Sequence, residues 1–99
     1  MNYSLDLLSA ADADMDSDAH WYERQRPGLG REFVLCVENS FESIRQYPEA
    51  YLSVGNQFRR ALVRRFPYAV YFRFDGQRIK IYAVLHNHRN PTEWKKRTA

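Results

Sequence analysis

Apolar and polar positions alternate through residues 3–8, Tyr-Ser-Leu-Asp-Leu-Leu, so Tyr3, Leu5 and Leu7 share one face of a short half-buried strand. Ser9 follows as an expected helix N-cap. The period then lengthens. Ala11, Met15, Ala19 and Tyr22 recur at helical spacing, which predicts an amphipathic helix over residues 10–25. Its aspartates sit early, where the macrodipole favours negative charge, and Arg26-Pro27-Gly28 breaks the chain. Leu29, Phe33, Val37, Phe41 and Ile44 mark a second helix over residues 29–46, which Tyr47-Pro48 ends. The two make a helical hairpin.

The second half returns to strand patterning. Residues 58–65 read as a strand with arginines on both faces, interrupted by Pro67. Residues 68–74, Tyr-Ala-Val-Tyr-Phe-Arg-Phe, give the strongest strand signal, and Asp75-Gly76 signals a hairpin. In residues 78–86, strict alternation predicts Ile79, Ile81, Ala83 and Leu85 on one face and Lys80, Tyr82, Val84 and His86 on the other. Asn90, Pro91 and Glu93 form a helix-start signal for a short final turn. The order β-α-α-β-β-β predicts an α+β fold, with a helical hairpin packed on a small, mainly antiparallel sheet.

At 99 residues the chain has room for one domain, 1–99. Its single cysteine, Cys36, permits no internal disulfide and falls among core positions of the second helix. No stretch approaches the roughly 18 apolar residues of a membrane span, and residues 1–8 do not read as a signal peptide. A cytoplasmic protein without a membrane partner is expected.

Charge changes the picture more. The net +3 divides unevenly. Residues 1–25 hold six acids and one base (−5), residues 26–55 four acids and three bases (−1), and residues 56–99 two acids and eleven bases (+9). A basic half of this kind attracts phosphates or an acidic protein segment; a merely solvated face is the plain alternative.

Several motifs carry a resemblance. Pro27-Gly28-Leu29-Gly30 follows Trp21-Tyr22-Glu23-Arg24, and Tyr47-Pro48-Glu49 closes the second helix. Arg64-Arg65-Phe66-Pro67-Tyr68-Ala69-Val70-Tyr71 is followed by Ala83-Val84-Leu85-His86, by Arg89-Asn90-Pro91, and by Trp94 and Arg97. In this order, over nearly the whole chain, they resemble the RelE/ParE toxin superfamily, in its ParE-like or plasmid-stabilisation branch. The resemblance implies the toxin of a type II toxin–antitoxin pair, restrained by a cognate antitoxin, and the charge split predicts that an acidic stretch of that antitoxin covers the basic half. It offers two targets: DNA gyrase, stalled by binding, or the ribosome with its mRNA, cut by an endoribonuclease. A relative that only binds its antitoxin and regulates an operon is a third reading.

RNA cleavage through the 2′-hydroxyl needs a base, a cation on the phosphate and an acid for the leaving oxygen. His86, Arg65 and Arg89 are the candidates for catalysis. Arg59, Arg60, Arg64, Arg65, Lys80, Trp94, Lys95, Lys96 and Arg97 are the candidates for nucleic-acid or target binding. On one strand, Arg59 would share a face with Arg65, and Arg60 with Arg64. The plain alternatives are a solubilising surface for the arginines, a strand-end role for His86 and a core-closing role for Trp94. The nuclease pattern is incomplete: Tyr68 and Ala69 stand where RelE-like nucleases commonly carry an arginine, and Trp94 where some carry a tyrosine. His86 and His88 could face one side, but no third ligand is evident, and the aspartates at 12, 14, 16 and 18 lack the glycine of a calcium loop. No metal and no cofactor are expected.

Overall fold

A computed structural model describes residues 2–89 and 92–97. Both helical stripes bury as their spacing requires. Helix α1 (Ser9–Gln25) contributes Ala11 and Met15, and helix α2 (Leu29–Gln46) contributes Phe33, Val37 and Ile44. They pack on one face of a sheet, against Tyr68, Val70, Phe72, Ile79, Ile81 and Val84. The helix start is tighter than expected: Ser9 already lies inside α1, and Leu8 takes the cap position.

The turn between the helices explains Pro27-Gly28-Leu29-Gly30. Gly28 has φ +89°, a conformation that favours glycine. A Cβ on Gly30 would lie 2.5 Å from the Ala19 carbonyl oxygen, so only glycine lets the helices approach this closely. The Glu23 carboxylate accepts the Gly28 and Gly30 N–H groups, capping α2 from the neighbouring helix.

The sheet holds β1 (Ser4–Leu7), β2 (Leu52–Gly55), β3 (Phe58–Leu62), β4 (Tyr68–Phe74) and β5 (Arg78–His86). Their spatial order is β1-β5-β4-β3-β2. β1 runs parallel to β5, and the other pairs are antiparallel. The architecture is the expected α+β one, with an additional edge strand, β2. This strand is only four residues long and mostly exposed, too short for its Leu52/Val54 alternation to stand out, and it turns into β3 through Gly55, Asn56 and Gln57, all at positive φ.

Two expectations along the strands are corrected. β3 stops at Leu62, and residues 64–67 bend, with Arg65 at φ +71°. The face-sharing pairs Arg59 with Arg65 and Arg60 with Arg64 therefore do not form. In β5 the alternation slips: Tyr71 pairs with Ala83 but Phe72 with Ile81, leaving Tyr82 as a bulge. Ile79, Ile81 and Val84 face the helices, while Tyr82, Ala83 and Leu85 join Phe58, Ala69, Tyr71 and Trp94 in a second core on the far face. Trp94 stacks on Tyr71 at 5.3 Å and closes that core from the 3-10 turn Glu93–Lys96. The cap expected from Asn90 and Pro91 lies outside the described residues.

Candidate functional site

β1 stops pairing with β5 at Ile81, so the last residues of β5, still paired with β4 on one side, run on without a strand on the other. Helix α1 fills that flank. The Asp14 carboxylate accepts the Val84 N–H at 2.9 Å, where a further strand would have supplied a carbonyl. Arg97 reaches the same carboxylate with both terminal nitrogens and also donates to the Tyr82 carbonyl. The pair is largely shielded from water.

One turn along α1, Asp18 helps enclose a cavity of about 240 Å³ with Asp14, Ser17, His86 and Arg89. Tyr68 forms the site's inner support: its ring meets His86 edge-on at 5.2 Å, and its hydroxyl accepts a hydrogen bond from Arg89 at 2.8 Å. His86 is held from the other side, where Nδ1 accepts the His88 N–H at 3.0 Å. In the neutral ring the proton then sits on Nε2.

The charges in this cavity perturb one another. Burial pushes the Asp18 carboxyl above its ordinary pKa, opposed by hydrogen bonding with Tyr68 and by the Arg89 charge. Burial, then the charges of Arg89 and His88, lower the pKa of His86, while Asp18 acts the other way. Burial and the Asp18 charge raise the Tyr68 hydroxyl. A carboxyl, an imidazole and a phenol with shifted proton affinities can exchange protons, and the Arg89 guanidinium beside them can hold an anion.

Of the expected catalytic residues, the structure brings His86 and Arg89 together and sets Arg65 apart. Arg65 pairs with Glu32 of α2 at 3.1 Å. The expected binding residues also separate. Arg59 donates to the Glu49 and Tyr51 carbonyls, holding the 3-10 turn Pro48–Ala50 against β3. Arg64 lines another cavity, beside half-buried Cys36. Trp94 is 5% exposed and so presents no side-chain anchor, and Arg97 is engaged with Asp14. Arg60 and Lys80 belong to the sheet face turned from the helices, as does the 3-10 turn carrying Lys95 and Lys96.

Sequence reasoning passed over Asp14, Asp18 and Tyr68. The aspartates read as part of a solvated helix start. Their i, i+4 spacing beside the Ala11–Met15–Ala19 stripe was the available signal, since it places both at the border of the buried face. Among the described residues, no group of three or more His, Cys, Asp or Glu side chains could hold a metal ion.

Comparison with known proteins gives one family and a set of folds. A family model described as the ParE toxin of the type II toxin–antitoxin system, parDE, matches residues 5–91. No curated protein matches. Among solved structures, the chain is similar to one from a chromosomal ParDE toxin–antitoxin system of P. aeruginosa, with TM-score 0.76 and 22% identity, covering 85% of this chain and 95% of that one. It is also similar to one from the toxin–antitoxin complex RelBE2 of Mycobacterium tuberculosis, with TM-score 0.59 and 18% identity, covering 87% and 99%. No described helix is long and apolar enough to cross a membrane.

Proposed function

Because the chain belongs to the ParE toxin family of type II toxin–antitoxin systems, we propose that it arrests growth in the cytoplasm by binding DNA gyrase, and that a cognate antitoxin neutralises it. The observation that carries a binding mechanism is the placement of the cations. Arg65 and Arg97, two of the arginines available to an RNA-cutting site, are engaged by Glu32 and Asp14. Arg89 is the arginine that remains beside His86.

A second reading rests on the cavity itself. In a ribosome-dependent endoribonuclease, Asp18 or His86 would take the proton of the 2′-hydroxyl. The 2′-oxygen would bond to phosphorus as the bond to the 5′-oxygen breaks, and Arg89 would hold the charged phosphate. The leaving 5′-oxygen would take a proton from the cavity's other acid.

Supercoiling by purified gyrase, with the chain titrated in, separates the two. Inhibition that survives in His86→Ala and Arg89→Ala supports the gyrase reading. Unaffected supercoiling at saturating dose sinks it. New codon-phased 5′ ends on a translated transcript, lost in both variants, would establish cleavage instead.

A further inference from the structure

We infer that the sheet face turned away from the helices binds the phosphate backbone of double-stranded nucleic acid. Strand register places the cations there in adjacent rows. Arg60 of β3 lies opposite Tyr71 of β4, and Arg73 of β4 lies opposite Lys80 of β5. Arg78 is two residues before Lys80 on the same face. Lys95 and Lys96 follow Trp94, which seals this face, and the Lys95 ammonium lies 5.6 Å from the Trp94 ring.

Carboxylates offset this charge only in part. Asp6 pairs with Arg78 at 3.1 Å, and Glu93 lies 3.9 Å from Lys96. Among the described residues, Arg60, Arg73, Lys80 and Lys95 form no ion pair. The opposite, helical face exposes Asp12, Asp16, Glu38 and Glu42. A molecule polarised in this way approaches a polyanion with its sheet foremost.

Arg73 is the ordered centre of the face. Its guanidinium rests on the Phe58 ring at 4.3 Å, and one terminal nitrogen donates to the Asn56 carbonyl at 2.8 Å. Its Nε–H is buried without an acceptor, beside a cavity of about 160 Å³ shared with Gln57, Asp75, Arg78 and Lys80. Asp75 in that wall already accepts the Gln77 and Arg78 N–H groups. A planar cation held in place loses little freedom on meeting a phosphate.

The aromatic residues decide between duplex and single strand. Single strands are gripped by rings that stack on unpaired bases. Here Phe58, Tyr71, Tyr82 and Trp94 are all buried, at 5% exposure or less. The face offers charge without stacking platforms, which suits a backbone whose bases are already paired.

This inference stands apart from the gyrase reading, because it concerns nucleic acid alone. The test is fluorescence anisotropy of the full chain, freed of antitoxin, with a DNA duplex of about 20 base pairs across a salt series. Binding should weaken with salt at a log–log slope of about −3 to −4, as expected for roughly four phosphate contacts. Lys80→Glu with Lys95→Glu should raise Kd about tenfold or more. Arg73→Lys, which keeps the charge but not the fork, should raise it several-fold. Arg24→Glu on the helical layer should leave it unchanged. The inference is overturned by an absence of binding at low salt, or by equal loss in Arg24→Glu. It is also overturned by equal affinity for a single strand, or by equally good competition from polyglutamate of matched charge. Duplex binding alongside untouched supercoiling would keep this inference and remove the gyrase reading.

Discussion

His86 reports on its surroundings through its proton. Burial and the neighbouring Arg89 charge hold its folded pKa below the ordinary value of 6.5. The unfolded chain therefore takes up this proton first as pH falls. The stability linked to His86 is fully present above about pH 6.5 and declines as pH drops through that value towards the lower folded pKa. The comparison is differential, between the wild type and a variant at this one ring. Urea unfolding between pH 8 and 5 should show the wild type losing more stability than His86→Gln. Equal losses would mean that the Arg89 and Asp18 environment does not act on this ring. Asp18 lies across the same cavity with its affinity shifted in the opposite direction. The two shifts bring the proton affinities of Asp18 and His86 closer together, which eases exchange of a proton between them, whichever target the molecule has.

Between the helices, one missing side chain sets the spacing. Gly30→Ala forces a Cβ to 2.5 Å from a backbone oxygen. Backbone cannot rotate away as a flexible side chain can, so the helices must separate. The cost should be about 1–3 kcal/mol, the usual range for overpacking, read from the shift in a denaturant midpoint. The helices themselves were legible because their stripes repeat at one spacing from end to end. The strands were legible only in part. The bulge at Tyr82 adds a residue without changing residue types, so Ala83 and Leu85 reverse faces with no mark in the pattern. Arg64 and Arg65 extend the apparent strand but fall in a bend that Pro67 marks only at its far end, and nothing in the residue types announces the positive φ of Arg65. For the site, His86 and Arg89 were readable from residue chemistry. Asp18 and Tyr68 were not, because their roles depend on α1 crossing the end of β5.

Across the whole molecule, Asp14 joins three distant parts of the chain: α1, the end of β5 and the segment carrying Arg97. Asp14→Ala would leave the Val84 N–H without its acceptor and the Arg97 guanidinium with only the Tyr82 carbonyl and the nearby Glu93. The expected loss is about 2 kcal/mol, because the pair is largely but not wholly shielded. Asp12→Ala, an exposed neighbour, should change the urea midpoint little. A comparable loss in both would place the effect in the helix dipole rather than in the latch. The parallel pairing of β1 with β5 has a consequence in time. At about 5–20 residues per second, a ribosome needs roughly 4–14 s to travel from β1 to β5. Until then β1 has no neighbour, and the helices have only the β4 part of their sheet to lie on. Charge and shape that could harm the cell come into being only once β5 has been made, so a message broken before it yields fragments rather than a weaker poison.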